Sequence, residues 1–474
     1  MYGFLRRRTL LPTLALIVAS FISPDSTFAE DLRVGDVATI AVGDEWVARV
    51  DLNWRNAWHN ERNYDGVWLF FKHRGSHMRV AAEGHRVRVL HATGGPLPEV
   101  VVAADGTGLW VVPPPGTRGE ISAQLTIALE VDSEDEDANL AALVARGIEM
   151  VHVPAGGFWV GDTGGEASES YGGFRGHGAD GADYLFRVND ETAIQIGDQP
   201  GHMSYVVDTY TGDGKGPIPA EFPKGTEAFW VMKYELSQGS YAEFLNDLWE
   251  TDTYERARLG GRTYGTNGGS IVLGDDGYHA QNPDRAARNL TWDDQLAFTD
   301  WAALRPMTEL EFTKAARGPR EPLPNEYPWG TASRENLIRL ATPRGDLAHV
   351  DHTDESSLDD AARDRYGASH YWIMDLAGSV WERVISPGLP DGRAFGGTHG
   401  DGRLGSRARA TNDDWPHEYA GRAGHGYRGG GYYGPDRAWH EFNPYSPVAY
   451  RPFGAWAGYA AERAYGYRAV RTAS

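Results

Sequence analysis

Two carboxylates in the segment MDLAGSVWE, residues 374–382, have the types and spacing of hard metal ligands. Asp375 and Glu382 stand on either side of a Gly-Ser turn. That turn can aim the carbonyl oxygens of Gly378 and Val380 at the same point. Calcium takes about six to eight oxygen ligands in flexible geometry, so the set suits it. On the residues alone, ordinary surface or capping carboxylates are the preferred interpretation.

A second group of metal-ligand candidates consists of three histidines near the C-terminus, His417, His425 and His440. Imidazole suits iron, copper or zinc, so these residues are candidates for an oxidase or oxygenase centre. Histidines scattered among aromatic loop residues are more often hydrogen-bonded structural groups. The chain has no G-x-S-x-G, H-E-x-x-H or phosphate-loop motif, so the sequence patterns of the common hydrolases and nucleotide-binding proteins are missing.

The stretch 291–318 organises the second half of the chain, because it holds two helix starts in quick succession. Thr291 and Thr308 each precede an apolar helical pattern and have an acidic residue three positions later. The second start matches the S/T-x-x-E/Q capping box. Pro306 breaks the chain between them. The sequence therefore predicts two short helices that meet at a sharp polar corner.

The same stretch resembles the signature of the formylglycine-generating enzyme (sulfatase-modifying factor) family, which runs roughly R-L-P-T-E-A-E-W-E-x-A-A-R-G. Met307 stands for a proline of that signature and Phe312 for a tryptophan. Six further blocks occur in the family's order: MVHVPAGGFWVGD (150–162), FWVMKYELSQGSYAEFLN (229–246), EYPWG (326–330), MDLAGSVWE (374–382), YRGGGYY (427–433) and YGYRAVR (465–471). The resemblance covers residues 148–474 and implies a C-type-lectin-like α+β fold with sparse secondary structure.

The resemblance reverses the interpretation of the two carboxylates, because the family's structural calcium uses an acidic or amide residue, two carbonyls and a glutamate at these positions. All four positions survive: Asp375, Gly378, Val380 and Glu382. Ser379 replaces the family's usual asparagine. A second family calcium would take Asn336 and the carbonyl of Leu337, with further ligands unassigned within 350–360. A structural Ca²⁺ is therefore the expected cofactor.

The family's reaction depends on two cysteines shortly after the R-G-G-S block, which bind copper and activate oxygen. Here the block reads RGGGYYGPDRAWHEF, and the cysteine positions fall near Gly434 and Trp439. Thiolates are the soft ligands that select Cu(I), and the chain contains no cysteine. Neither copper nor formylglycine-generating activity is expected. Whether any other catalysis exists stays open, and the residues favour a non-enzymatic role.

Residues 1–29 are predicted to be an export signal, with three arginines, an apolar core and a small-residue cleavage site. Removing them would change the formal net charge from −21 to −23, because they hold three Arg and one Asp. That charge argues against nucleic acid as a partner. No other segment approaches the length of a membrane span. We expect a secreted, periplasmic or cell-surface protein that does not span the membrane.

Alternating apolar residues over 30–132 predict an N-terminal antiparallel β-sandwich. An acidic linker or short helix is predicted at 133–147, and the family-like domain occupies 148–474. The predicted fold class is α+β. The Trp-rich segment 54–71 could present a carbohydrate-stacking surface, although such aromatics more often lie in a core.

These features predict a calcium-stabilised binding or structural module, with a glycan or a surface protein as ligand and self-association as an alternative. The candidate contacts follow the family's glycine block: Tyr432, Tyr433, Trp439 and His440. Tyrosine and tryptophan give large contact areas at low entropic cost, which favours them in recognition. The competing hypothesis is the histidine-based metallo-oxidase or oxygenase.

Overall fold

The computed structural model describes residues 32–42, 45–82, 90–91, 97–130, 142–164, 171–249, 269–337, 362–431, 446–458 and 464–473. The predicted export signal, the acidic run before residue 142 and the segment 432–445 lie outside these ranges. None of the helices in the described ranges combines the length and apolar composition needed to cross a bilayer.

The first part of the chain consists of strands. They are β1 (Leu32–Val34), β2 (Ala38–Val42), β3 (Glu45–Trp58), β4 (Asp65–His73), β5 (Ser76–Val80), β6 (Leu90–His91), β7 (Glu99–Val102), β8 (Leu109–Val112), β9 (Arg118–Glu130) and β10 (Leu143–Val153). β3 pairs with β9 along most of its length, and β4 pairs with β8 and β10. All of these pairings are antiparallel.

Two layers of these strands enclose a core. Leu52 and Trp54 of β3 face Leu69 and Phe71 of β4, and all four side chains are buried. β5 pairs with both β4 and β9 and so joins the two layers at one side. Successive strand residues point to opposite faces, which is why alternate residues of β3 and β4 line this core. The predicted antiparallel sandwich is confirmed.

The second part of the chain has short strands and few helices. Its strands are β11 (Phe158–Val160), β12 (Arg175–His177), β13 (Asp183–Tyr184), β14 (Phe186–Val188), β15 (Met203–Ser204), β16 (Phe229–Met232), β17 (Ile271–Gly274), β18 (Gly277–Ala280), β19 (Arg305–Pro306), β20 (Trp381–Ile385), β21 (His425–Arg428), β22 (Tyr465–Gly466) and β23 (Ala469–Thr472). Its α-helices are α1 (Gln238–Trp249), α2 (Trp292–Trp301), α3 (Glu309–Arg317), α4 (Arg363–Tyr366) and α5 (Pro390–Arg393). This mixture confirms the α+β class.

One sheet runs through both parts of the chain, because β10 pairs with β4 on one edge and with β16 on the other. The prediction of a linker or short helix at 133–147 is therefore wrong from Leu143 onward, where β10 begins. Residues 143–147 pair with β4, which satisfies backbone groups along one edge of the segment, and local helix propensity does not outweigh this pairing. Beyond β16 the sheet continues through β23 to β19.

Both predicted helix starts are confirmed as capping boxes. The Thr291 hydroxyl accepts a hydrogen bond from the Asp294 N–H at 3.2 Å, and the Asp294 carboxylate accepts one from the Thr291 N–H at 2.8 Å. Thr308 and Glu311 make the same pair at 3.1 and 3.0 Å. Arg305 reinforces the corner with two hydrogen bonds to the Glu311 carboxylate, at 2.9 and 2.5 Å.

The helices cover the face of β4 that points away from the sandwich core. Phe70 meets Trp301 of α2 edge-on, with ring centroids 5.1 Å apart, and Phe244 of α1 lies 5.4 Å from the same tryptophan. The Trp68 indole donates a hydrogen bond to the Ala302 carbonyl at 2.9 Å. The N-terminal strands and the helical part therefore share one buried core.

Candidate functional site

The segment 374–382 forms a tight polar turn that ends where β20 begins. Asp375, Gly378 and Ser379 all have positive φ, at 61°, 85° and 54°. The left-handed region suits glycine and costs other residues strain, so the two non-glycine residues are held there by their surroundings. The Gly378 N–H donates to the Gly429 carbonyl at 3.0 Å, which ties the turn to the glycine block.

Glu382 lies at the base of this turn, fully buried in β20. The Arg468 guanidinium donates two hydrogen bonds to its carboxylate, each 2.7 Å long. A third carboxylate, that of Glu235, lies beside the turn and accepts hydrogen bonds from the Ser379 hydroxyl at 2.5 Å and the Val380 N–H at 3.1 Å. Sequence reasoning did not select Glu235. The available signal was an acidic residue directly before the buried Leu236.

The carboxylates of this turn repel one another. Burial raises the pKa of Glu235 well above its usual range, and the charges of Asp375 and Glu382 raise it further. Burial also raises the pKa of Glu382, while Arg468 lowers it. Arg468 offsets part of this negative charge, and the predicted ligands are oxygen atoms of the kind that Ca²⁺ takes.

In the described part of the chain no three His, Asp or Glu side chains are grouped to hold one metal ion. Glu235, Asp375 and Glu382 are thus electrostatic neighbours that do not converge on one point. A site of the predicted kind takes two of its four protein ligands from backbone carbonyls. At the second predicted calcium site, the Asn336 amide donates to the Asp364 carboxylate at 2.7 Å, and the 350–360 segment lies outside the described residues.

The structure places the two described histidines of the alternative metal centre in separate packed environments. Nε2 of His417 lies 2.7 Å from the Asn412 carbonyl oxygen. The His425 ring stacks on Trp292 with a centroid separation of 4.8 Å. Burial lowers the pKa of both, and that of His425 falls to about 3. His440 lies outside the described residues.

The predicted contact residues after the glycine block also lie outside the described residues. They are Tyr432, Tyr433, Trp439 and His440, together with the cysteine-equivalent Gly434. The block itself is buried as far as Gly431. Arg428 at its start donates to the Glu309 carboxylate at 3.3 Å and to the Thr313 hydroxyl at 3.2 Å, so it anchors α3.

A recess lies where the end of β3 meets the helical part of the chain. Its aromatic and amide walls are formed by Asn56, Trp58, Asn60, Tyr234, Tyr366 and Trp372. A β-bulge shifts the β3–β9 register between Trp54 and Ala57. Bulges redirect the side chains that follow them, and here Trp58 comes next in β3.

The tryptophans of segment 54–71 were predicted to lie in a core, and Trp54, Trp58 and Trp68 are all buried. Trp54 and Trp68 are fully buried and spend their indole N–H groups on Glu149 and on Ala302. Trp58 is 7% exposed, and its indole N–H has no hydrogen-bond partner among the described residues. Its ring lines the recess, whereas its indole nitrogen is buried.

Lys233 supplies positive charge at the floor of the recess. Its Nζ lies 4.6 Å from the centroid of the Trp58 ring and 3.3 Å from the Asp65 carboxylate, and it also bonds Glu149. Burial lowers the pKa of Lys233, but Glu149, Tyr234 and Asp65 together raise it above its usual range. The ammonium stays protonated, and the two carboxylates beside it compensate its charge.

Comparison with known proteins matches residues 199–473 to the sulfatase-modifying factor enzyme 1-like domain. A formylglycine-generating enzyme of Thermomonospora curvata is 29% identical over 106 residues. That match covers 21% of this chain and 33% of the relative, so the chain spans about a third of the relative's length. The matched family domain contains the turn, Arg468 and one wall of the recess, whereas Asn56, Trp58 and Asn60 precede it.

Proposed function

The chain belongs to the sulfatase-modifying factor family, and from that premise we propose that it is a binding module whose ligand is a glycan. The observation that carries the proposal is the aromatic recess at the end of β3. We further propose that Ca²⁺ stabilises the module and that it works outside the cytoplasm, at the cell surface or in the periplasm. The composition of residues 1–29 supports export.

The chemistry of the recess supports a neutral, hydroxyl-rich ligand. Aromatic rings supply flat apolar faces, and the Asn60 amide supplies hydrogen-bonding groups. Binding pockets typically combine such apolar walls with a few polar groups that fix orientation.

Formylglycine generation, the reaction that gives the family its name, is not a competing proposal for this chain. That reaction, as the resemblance implies, runs through two copper-binding cysteines, and this chain has none. Carboxylates and histidines do not reproduce the soft thiolate pair that selects Cu(I). A binding role requires no redox-active ligand set.

Saccharide titration of the purified protein, followed by intrinsic tryptophan fluorescence and calorimetry, tests the ligand. We expect Trp58→Ala to weaken binding of a hit saccharide by roughly tenfold or more, which corresponds to about 1.4 kcal/mol. Tyr419→Ala is the matched control, because Tyr419 is 44% exposed and lies outside the recess. A saccharide panel without any binder, or undiminished binding by Trp58→Ala, would contradict the glycan proposal.

Thermal melts with and without chelator test the calcium proposal. A ligand that binds only the folded state at a hundredfold excess over Kd stabilises it by about 2.7 kcal/mol. Asp375→Asn should shrink the calcium-dependent shift, whereas Asp276→Asn in the exposed hairpin should leave it intact. Elemental analysis separates the alternatives: calcium alone agrees with the binding module, and stoichiometric iron or copper would instead support the histidine-based oxygenase.

A further inference from the structure

Three side chains on the small sheet β13–β12–β15 have the relative placement of a nucleophile, a base and an orienting acid. The Ser204 hydroxyl oxygen lies 2.7 Å from Nε2 of His177. Nδ1 of the same ring lies 3.0 Å from the Asp183 carboxylate. We propose that Ser204, His177 and Asp183 form a catalytic triad that hydrolyses small carboxylic esters.

The register of the sheet brings the three residues to one face. His177 is directly opposite Asp183, and Arg175 is directly opposite Ser204. Residues two apart in a strand point the same way, so Arg175 and His177 lie on one face of the sheet. Their cross-strand partners, Ser204 and Asp183, lie on that face too. The intervening Gly176 lies under the Tyr184 ring, where a Cβ would come within 2.4 Å of a ring carbon. Replacing this glycine would push β13 away from β12.

The backbone holds the base in position. The His177 N–H donates to the His202 carbonyl at 3.1 Å, and the His177 carbonyl accepts from the Gly201 N–H at 2.8 Å. On the other side, the Gly178 N–H donates to the Ala182 carbonyl at 2.8 Å. Met203, next to the serine, is fully buried and anchors β15 in the core. The imidazole is thus fixed between the two strands that carry its partners.

The two hydrogen-bond partners also select the tautomer. The carboxylate beside Nδ1 favours a proton on that nitrogen, which leaves Nε2 as an acceptor for the serine hydroxyl. This is the state in which imidazole acts as a general base toward serine. Arg175 lies 3.1 Å from the Asp183 carboxylate and orients it from the far side.

The site is open to substrate. The side chains of His177 and Asp183 are 16% and 47% exposed. Arg175, 26% exposed on the same face, keeps its positive charge beside the Asp183 carboxylate. A shallow, polar, solvent-facing site of this kind fits small esters rather than long acyl chains.

The reaction balances with water as the only co-reactant. The Ser204 hydroxyl oxygen bonds to the ester carbonyl carbon while His177 Nε2 takes its proton. The carbon–oxygen bond to the alcohol then breaks, and the alcohol leaves with the proton from His177. Water attacks the acyl-serine by the same route, which releases the carboxylic acid and restores the serine.

Sequence motifs gave no sign of this arrangement, because triads are recognised by geometry and role rather than by position in the chain. The serine is not in a G-x-S-x-G elbow, and His177 and Ser204 are 27 residues apart. The three residues fall on three separate short strands inside a glycine-rich stretch. Only the strand register brings them together.

The test is covalent labelling of the full-length protein with a fluorophosphonate, followed by peptide mass spectrometry. We expect the probe on Ser204 and its loss in His177→Gln. An unmodified Ser204, or a label confined to other residues, would overturn the proposal. Because this measurement is made on the unaltered chain, it decides the question even if a variant fails to fold.

Hydrolysis of p-nitrophenyl acetate supplies a second readout. Ser204→Ala and His177→Gln should each lower the rate roughly 10²-fold or more, the scale of general-base catalysis. His279→Gln is the matched control, because His279 also faces a carboxylate, Asp276, at 2.7 Å but lies in the β17–β18 hairpin. Equal rates for Ser204→Ala and the unaltered protein would also overturn the proposal.

Discussion

Arg468 and Glu382 form a two-pronged ion pair in which both hydrogen bonds measure 2.7 Å and both side chains are fully buried. The same guanidinium also donates to the carbonyls of Met232 and Met374, at 2.9 and 2.8 Å. Arg468 therefore joins three chain segments and faces the negative turn at once. Its charge is the counterpart of the carboxylates that surround it.

We expect Arg468→Met to lower the free energy of unfolding by about 3–5 kcal/mol, because it leaves a buried carboxylate without its partner. Chemical denaturation measures the change. Arg79→Met is the control, since Arg79 pairs with Glu130 at half-exposed positions and should cost no more than about 1 kcal/mol. Similar losses for the two variants would mean that the buried pair contributes no more than an exposed one.

The cap of α3 provides a second prediction. Thr308→Ala removes the hydroxyl that accepts from the Glu311 N–H and donates to the Pro223 carbonyl at 2.8 Å, and should cost about 0.5–2 kcal/mol. Thr308→Ser keeps the oxygen and should retain most of that stability. Urea denaturation of the two variants gives the comparison. Equal destabilisation by both would show that the methyl group, not the hydroxyl, matters.

Buried histidines predict a loss of stability in acid. Burial, and secondarily Arg383, lowers the pKa of His425 to about 3 in the folded protein. The unfolded chain has a histidine pKa of about 6.5, so it binds the proton first as the pH falls. The free energy of unfolding should therefore fall between about pH 6.5 and pH 3, by up to about 1.4 kcal/mol per pH unit for this residue.

His425→Phe tests that sign. At pH 8 both forms are uncharged, so the stability difference between variant and unaltered protein measures the changed contacts with Trp292, Tyr427 and the Gly458 carbonyl, without proton binding. At pH 5 the variant should have lost less stability than the unaltered protein, since one proton-binding group of the unfolded state is gone. A difference that stays constant between pH 8 and pH 5 would contradict the assigned environment of His425.

Deleting the N-terminal strands should destabilise the family domain. A chain that begins at residue 142 keeps β10 but lacks β4, so one edge of β10 is left without its hydrogen-bonding partner. The same chain also lacks Asp65, which pairs with Lys233. Unpaired edges promote aggregation, so we expect an insoluble product or a markedly lower melting temperature. A chain that begins at residue 32 keeps all described strands and serves as control. A soluble fragment that melts with the full chain would count against the shared sheet as a source of stability.

Sequence reasoning succeeded where the determining information is local. The capping boxes of Thr291 and Thr308 are set within three residues, and both formed as predicted. The sandwich strands could be predicted because apolar and polar residues alternate within each strand. The family match over residues 199–473 confirmed the resemblance drawn from short blocks.

The same reasoning failed where residues distant in sequence decide the outcome. Leu143 starts a strand because β4 offers it a partner, His73, and the sequence around Leu143 gives no sign of that partner. Glu235 and Ser204 acquire chemical interest only through side chains brought beside them by tertiary packing and strand register. Local periodicity carries no information about contacts between residues that are distant in sequence, so only the structure reveals them.

The continuous sheet has a mechanical consequence. β10 is hydrogen-bonded to β4 from Leu143 opposite His73 to Val151 opposite Asp65, and to β16 on its other edge. A force that pulls the two parts of the chain apart therefore acts on these two sets of inter-strand hydrogen bonds. These hydrogen bonds hold adjacent strands about 4.7–4.9 Å apart. The two parts of the chain therefore resist separation together, as one continuous sheet. An anchored chain would therefore transmit a pull without opening its recess.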